Sequence, residues 1–287
     1  MSTIKTILAP VSDAASAPAP LEAAFRLADL CAAHVTVLHV MADPTTAVPL
    51  VGEGMSGAMV EEMLKAAEKQ ARETADGTRA AFEEVRARHG IVLRERPPAD
   101  GLSTQWVEVV GQEEDVIARR GRLHDLVVMG HAGAGRDEVS SGQGLNAALL
   151  DSGKALLLAP AAMPATFGKR VVIAWNGSAE SSRAVAAALP LLERADEVAV
   201  LTVNEQNAEM GGIDLVDFLG WHGIAATHQD IPAGGNAGIA LLESCRMATA
   251  DLLVMGAYTH SRLRQLILGG VTRHVMHKAE IPVLLSH

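Results

Sequence analysis

Aromatic residues are scarce in this sequence, at 3% of the chain, although hydrophobic residues as a whole make up 49%. A buried core must therefore be mainly aliphatic. Cysteine occurs only at Cys31 and Cys245, in apolar segments of different halves, and forms no CxxC pair and no metal-ligand spacing. We expect two buried free thiols in a reducing compartment.

Long apolar runs and basic residues are also lacking. No apolar stretch approaches the roughly 18 residues of a membrane-spanning helix. Lys and Arg total 24 against 34 Asp and Glu, which gives a formal net charge of −10. This charge argues against sequence-independent binding to nucleic acid, which requires neutralised phosphates, and against attraction to an anionic membrane. Because Met1–Lys5 leads directly into an apolar run without a signal-peptide pattern, we expect a cytoplasmic protein.

What the sequence does contain is an internal repeat. The segment "DLVVMGHAG" at 125–133 corresponds to "DLLVMGAYT" at 251–259, and "IKTILAPVSD" at 4–13 corresponds to "KRVVIAWNGS" at 169–178. Matching starts and matching ends indicate two copies of one domain.

Short aliphatic runs alternate with helical periodicity in both copies, a pattern typical of βαβ units with a buried parallel sheet. The predicted strands, five in each half, are 4–10, 34–40, 104–110, 125–130, 154–159, 169–175, 197–203, 223–230, 251–256 and 281–286. This predicts the α/β class, with two tandem doubly wound parallel-sheet domains of the flavodoxin-like or Rossmann-like type.

The two predicted domains differ in one insertion. Residues 53–90 predict a long amphipathic helix with a solvated charged face, where the second copy has only a short segment near 208–222. A linker rich in Ala and Pro at 159–169 separates the copies. We therefore predict domains at 1–164 and 165–287.

In such sheets, ligands bind beyond the carboxyl ends of the strands, where the strand order reverses. If the first and fourth strands are neighbours there, Asn176 and Gly256 face one crevice. The pair Gly269 and Gly270 opens the following helix and presents main-chain N–H groups suited to an anion. The spacing of the histidines supplies no third metal ligand, so no metal site is predicted.

The repeat, together with "VVIAWNGSAESSRAV" and "DLLVMGAYTHSRLRQLILGGVTRHVMHKAEIPVLL", resembles the universal stress protein family in its tandem-domain form. The resemblance covers essentially the whole chain, weakly in the first half and strongly in the second. It implies a stress-response regulatory module with an adenine-nucleotide (ATP) pocket in the second domain, with Mg²⁺ only as the companion of ATP. It also leaves open a homodimer and a protein partner.

In nucleotide-binding members of this family, the fourth strand is followed by G-x-x-G, nine residues and G-[S/T]. By resemblance, Asn176 and Val203 line the nucleoside region. The positions implied around the phosphates are Met255, Gly256, Thr259, Gly269, Gly270 and Val271.

This sequence departs from the family pattern at three binding positions. Thr259 stands for the second glycine, Gly270 for the Ser/Thr, and Asn176 for an Asp that follows strand one. In the first half, Ser12 stands at that Asp position and is followed by Asp13, and two prolines, Pro18 and Pro20, are expected to interrupt the start of the next helix. The first copy is therefore predicted to be the more degenerate.

Three functions remain open from the sequence. The first is the nucleotide-binding regulatory module. The second is a scaffold that binds no nucleotide, in which the last strands of the two halves pair and the chain acts through protein contacts. The third is slow ATP hydrolysis, for which Asp13 and Asp230 are candidates by residue type; no dedicated catalytic activity is otherwise indicated.

Overall fold

The computed structural model describes residues 4–47, 56–97, 101–131, 138–203, 211–231, 236–257 and 270–287. Within these ranges the strands are β1 (Thr6–Pro10), β2 (His34–Met41), β3 (Val92–Leu93), β4 (Ser103–Val110), β5 (Leu126–Gly130), β6 (Ala155–Ala159), β7 (Arg170–Trp175), β8 (Glu197–Val203), β9 (Thr227–Ile231), β10 (Leu252–Gly256) and β11 (Val283–Ser286). The α-helices are α1 (Pro18–Cys31), α2 (Gly57–Arg88), α3 (Glu113–Gly121), α4 (Glu138–Asn146), α5 (Ala179–Leu192), α6 (Gly212–Trp221), α7 (Ala237–Met247) and α8 (Gly270–Lys278).

The described strands form one sheet in the order β3-β4-β2-β1-β5-β6-β11-β10-β7-β8-β9. Within each half the pairs are parallel, and the first predicted strand lies beside the fourth, β1 beside β5 and β7 beside β10. This confirms the predicted neighbours and the doubly wound α/β class, with the 3-2-1-4-5 order of a Rossmann-like sheet.

The two halves meet through their last strands. β6 and β11 pair antiparallel, with Leu156 opposite Leu285 and Leu157 opposite Leu284. All of these side chains are buried. Each half therefore covers the exposed edge of the other, which is the contact that the scaffold alternative assumes.

All ten predicted strands are present, with two differences of detail. The predicted strand 223–230 begins only at Thr227, because His222 caps α6 and Gly223 takes a left-handed φ of 75°. The strand β3 was not predicted. Its two residues, Val92 and Leu93, pair with the start of β4 and are too few to give a periodic signal.

Alternate strand residues point to two core layers, one on each face of the sheet. The first layer includes Ile7 and Ile173, and it is covered by α1, α2, α5 and α6. The second includes Leu8 and Val172, and it is covered by α3, α4, α7 and α8. Both layers contain residues of both halves, so the packing is continuous across the β6–β11 pair.

Two expectations about the first half need adjustment. The long helix predicted at 53–90 is present as α2, which begins after Ser56, whose Oγ accepts a hydrogen bond from the main-chain N–H of Met59 (3.3 Å). The prediction that Pro18 and Pro20 interrupt the next helix was wrong, since α1 begins at Pro18. Prolines in the first turn of a helix remove no helical hydrogen bond.

The segment between β6 and β7 contains no helix or strand. It is nevertheless tied to the first half, because Arg26 Nη1 donates to the carbonyl oxygen of Pro164 (2.6 Å) and Phe167 is buried. The boundary between 164 and 165 stays a prediction. None of the helices in the described residues combines the length and hydropathy needed to cross a bilayer.

Candidate functional site

The candidate site lies at the carboxyl ends of β7 and β10, where the strand order of the second half reverses. Asn176 directly follows β7, and Gly256 is the last residue of β10. Helices α5 and α8 each connect parallel strands, so both begin at this same edge of the sheet. The first turns of two helices therefore flank the crevice, and each has main-chain N–H groups without a partner inside the helix.

The turn from β7 into α5 is held by its own polar side chains. Asn176 is exposed, and its Oδ1 accepts a hydrogen bond from the N–H of Ser178 (3.2 Å). The Oγ of Ser178 in turn caps α5 by accepting from the N–H of Ser181 (3.1 Å). An asparagine at this position thus has a structural role in the turn, in addition to any ligand contact.

Gly256 is required by packing within the protein. A Cβ added there would lie 2.5 Å from the main-chain nitrogen of Ser181 and 2.8 Å from the carbonyl carbon of Glu180. The first turn of α5 therefore rests directly on the end of β10. The glycine that the sequence pattern associates with a ligand is explained by this close approach of two backbones.

Three other predicted residues lie in the strands and the helix that flank the crevice. Met255 is 5% exposed and belongs to the second core layer, and Val271 packs against the same layer. Val203 ends β8 and pairs with Ile231 of β9. Asn176, unlike Met255, has its side chain exposed at this edge.

Gly270, the first residue of α8, is exposed, and within the described residues no heavy atom outside its own helix backbone lies within 4 Å of the position a Cβ would take. In contrast to Gly256, nothing in the packing explains this glycine. Thr259 and Gly269, which the sequence pattern places before it, lie outside the described residues. Asn176, Gly256 and Gly270 are thus the predicted positions that the topology brings to the crevice.

Sequence reasoning missed the anchoring of the chain end beside this crevice. Arg183 of α5 donates to the main-chain oxygen of His287 (2.8 Å) and to Glu180 (2.8 Å). Nδ1 of His287 in turn lies 3.2 Å from the carbonyl oxygen of Ala257, directly after β10. A lone arginine in an amphipathic helix gives no signal for such a contact, because its partner is 104 residues away.

The corresponding edge of the first half has different chemistry. Ser12, which follows β1, donates to Oε1 of Glu113 in the first turn of α3 (2.5 Å). Burial raises the pKa of Glu113, although the hydrogen bond from Ser12 lowers it in part. Asp13 accepts from the N–H groups of Ala15 and Ser16 at 2.8 and 2.9 Å, so it stabilises the turn before α1.

A third polar group lies at the ends of β8 and β9. Thr202 Oγ1 donates to Asp230 Oδ1 (2.5 Å) and lies 2.9 Å from Nε2 of His228. Because the threonine proton points to the aspartate, Nε2 must carry a proton to complete the contact, and the imidazole is not a base for the hydroxyl. This group is therefore not an activated nucleophile. Among the described residues, no three His, Cys, Asp or Glu side chains gather as metal ligands.

A tandem doubly wound α/β fold with a crevice at each strand-order reversal defines the class of this protein. The sequence model of the universal stress protein family matches residues 3–149 and 222–287. The chain belongs to the universal stress protein family. The match is longer in the first half than in the second, although the resemblance was expected to be stronger in the second.

Individual relatives agree with this assignment. The chain is 44% identical over 50 residues to the universal stress protein Slr1230 of Synechocystis sp., a match that spans 17% of each protein. A universal stress protein of Archaeoglobus fulgidus is similar in structure (TM-score 0.66, 17% identity), with 99% of this chain and 96% of that chain covered. The protein PA1789 of Pseudomonas aeruginosa, described as functionally unknown, is also similar (TM-score 0.56, 13% identity, 99% and 92% covered). These structural likenesses concern the fold.

Proposed function

We propose that this protein is a cytoplasmic regulatory module of the stress response that binds an adenine nucleotide, ATP, in the crevice of its second half. The observation that carries the proposal is the first turn of α8, where no atom of the described residues outside the helix's own backbone lies near the Cβ position of Gly270. A helix N-terminus with unobstructed main-chain N–H groups suits the phosphates of a nucleotide. Asn176, exposed at the end of β7, supplies a polar group for the nucleoside.

The difference between the halves favours the second half as the site of the proposed nucleotide. In the first half, the carboxyl group of Glu113 is partly buried beside Ser12, at the edge where an anionic phosphate would lie. An ionised carboxylate there repels phosphate, and repulsion is strong where water is excluded. The position after the cap of α7 in the second half is Ala237, which carries no charge.

Slow ATP hydrolysis in the same crevice is a less well supported function. It needs a group that positions water, but Asp13 is engaged by two main-chain N–H groups and Asp230 by the hydroxyl of Thr202. We expect Asp13→Asn and Asp230→Asn to leave any turnover unchanged. A large loss of turnover in either variant would instead support an enzyme.

The experiment is calorimetric titration of ATP, with and without Mg²⁺, into wild type and two matched glycine variants. Gly270→Glu places a carboxylate at the first turn of α8, and Gly142→Glu adds one to α4 of the first half. In the part of the chain that the structure describes, no heavy atom outside the helix's own backbone lies within 4 Å of either Cβ position, so both variants should fold. Like-charge repulsion of ~1 to 4 kcal/mol at about 4 Å predicts a loss of affinity of about fivefold or more for Gly270→Glu alone.

Equal affinity of the two variants would remove the second-half crevice as the nucleotide site. Absence of binding by wild type, together with no nucleotide released from purified protein on denaturation, would favour the scaffold alternative. That alternative has its own support in the β6–β11 pair, which joins the halves into one continuous sheet.

A further inference from the structure

The outer face of α6 exposes three large apolar side chains. Trp221 is 90% exposed, Ile213 66% and Phe218 43%. At about 100° of rotation per residue, Phe218 and Ile213 lie roughly 60° and 80° to either side of Trp221, so the three side chains share the outward half of the helix over an arc of about 140°. Large apolar side chains that are exposed next to one another form a contiguous patch of the kind that marks binding sites.

This exposure does not come from a loosely packed helix. Leu215 and Leu219 on the inner face of α6 are buried in the first core layer. Gly212 lies so close to the ring of His228 that an added Cβ would overlap it. The first turn is also capped, since the N–H of Gly211 donates to Oδ2 of Asp214 (2.8 Å). The helix is therefore fixed to the sheet, and its outer face is a rigid surface.

In the equivalent helix of the first half, α2, the large aromatic side chain is buried instead of exposed. Phe82 of α2 is fully buried and stacks on Trp106, with ring centroids 5.3 Å apart. The aromatic residues of α2 and β4 thus pack against each other, whereas Phe218 contacts only the neighbouring ring of His222 among the described aromatic pairs (4.8 Å). The apolar surface of α6 lacks such a cover within the described residues.

The carboxylates of α6 and of the edge strand β9 have no lysine or arginine beside them on these two elements. Asp214 and Asp217 are exposed between the apolar residues, and neither α6 nor the adjacent edge strand β9 contains a lysine or arginine. Asp230 on β9 adds a third exposed carboxylate. A partner that covers this surface must neutralise these acids while it buries the apolar side chains.

We propose that the outer face of α6 binds an amphipathic, basic segment of a partner protein, in which lysine or arginine alternates with large apolar side chains. Such a segment supplies apolar contacts to Ile213, Phe218 and Trp221 and charge partners to Asp214 and Asp217. A second copy of this chain is a poorer occupant, because a two-fold contact would bring the same aspartates together. An anionic membrane is repelled by the same charges.

The test uses a fluorescein-labelled model peptide of about 18 residues, long enough for a helix, built from leucine and lysine, and the matched peptide with glutamate for lysine. Binding is followed by fluorescence anisotropy. We expect wild type to bind the lysine peptide and not the glutamate peptide. Trp221→Ala and Asp217→Lys should each weaken binding by about tenfold or more, as for residues at the centre of an interface.

Two controls separate this surface from general attraction to an acidic protein. Asp76→Lys changes the net charge as Asp217→Lys does, but on the exposed face of α2, and it should change affinity less than about twofold. Leu123→Ser removes an apolar side chain that is 85% exposed elsewhere and should also have no effect. Circular dichroism confirms that each variant is folded.

Equal binding by wild type, Trp221→Ala and Asp217→Lys would overturn the proposal. Binding to vesicles of anionic lipid that depends on Trp221 would replace the protein partner with a membrane. Sedimentation that shows a wild-type dimer, lost in Trp221→Ala, would replace it with a second copy. None of these outcomes depends on whether the second half binds nucleotide.

Discussion

The two halves place different structures over the same glycine at the end of the fourth strand. In the second half, the main chain of α5 at Glu180 and Ser181 lies on Gly256, at 2.5 to 2.8 Å from the position that an added methyl group would take. In the first half, the ring of Pro20 covers Gly130 at an ordinary contact distance of 3.4 Å. The glycine at the end of the fourth strand is therefore required for packing at Gly256 and not at Gly130.

A second difference concerns the residue that follows the first strand, Ser12 in the first half and Asn176 in the second. Two aspartates show that these positions correspond. Asp125 binds the N–H groups of Lys5 and Thr6, and Asp251 binds those of Lys169 and Arg170, which fixes the register between the halves. This register makes Ser12 the counterpart of Asn176. Ser12 is bound to a partly buried glutamate, whereas Asn176 holds its own turn. The residue after the first strand thus contacts a carboxyl group in the first half, whereas its counterpart in the second half is an uncharged amide bound within its own turn.

The largest expected effect comes from adding one methyl group to each glycine. Gly256→Ala forces the backbones of β10 and α5 apart and should lower the free energy of unfolding by about 2 to 3 kcal/mol, typical of overpacking. Gly130→Ala should change it by less than about 0.5 kcal/mol. Denaturant unfolding followed by circular dichroism measures both. If the two variants were equally stable, the difference between the halves would not lie in this contact.

A smaller difference is expected for the aspartates that hold the first strands. Asp251 is 2% exposed, so Asp251→Ala leaves two partly buried N–H groups unpaired and should cost about 2 to 3 kcal/mol. Asp125 is exposed, so water can replace its oxygens in Asp125→Ala, and a loss of about 1 kcal/mol is expected. The same unfolding assay ranks the two variants, and a reversed order would show that burial does not control these contacts.

Glu113 makes the folding stability of the first half depend on pH. Burial raises the pKa of Glu113 in the folded state above its unfolded value. Between these two values the folded state binds more protons than the unfolded state, so the stability contributed by this residue falls as the pH rises through that window. Three titratable groups influence it, namely His39 on β2, Asp13 after β1 and Glu114 on α3.

The direction in which replacement of Glu113 changes the free energy of unfolding can therefore be predicted. Glu113→Gln, which cannot ionise, should be more stable than wild type at pH 7 and lose that advantage near pH 4, where the wild-type carboxyl is protonated. The midpoint of urea unfolding at several pH values measures the difference. The control Asp115→Asn, at an exposed position of the same helical turn, should show no such trend. A constant difference across the pH range would mean that the side chain of Glu113 acts only through its shape.

Strand positions were readable from the sequence because strands buried on both faces are continuous aliphatic runs, as in Leu126–Gly130 and Leu252–Gly256. The position of the crevice followed from the order of such strands. The contact of Ser12 with Glu113 did not follow, because 101 residues separate them and an acid in a first helical turn is common. The packing role of Gly256 was also hidden, since it depends on how closely α5 approaches β10.

The orientation of α6 is a further feature that could not be predicted from the sequence. The short segment near 208–222 predicts a helix, but the sequence alone does not tell which of its apolar residues face the core. Leu215 and Leu219 do, while Trp221 does not, although all three carry large apolar side chains. Orientation of a ten-residue helix is decided by contacts such as that of Gly212 with His228, which join distant parts of the chain.

The smallest expected effect is a difference in thiol reactivity between Cys31 of the first half and Cys245 of the second. Burial raises the pKa of the Cys245 thiol to about 12, so at pH 8 only about one thiol in ten thousand is ionised and reactive. Burial also raises the pKa of Cys31, but the nearby charges of Arg194 and Lys5 oppose this rise. Reaction with a disulfide reagent should therefore be slow at both sites in the folded protein and faster at Cys31, with Cys31→Ser and Cys245→Ser identifying each thiol. Faster reaction at Cys245 would show that the second half opens more readily than the first.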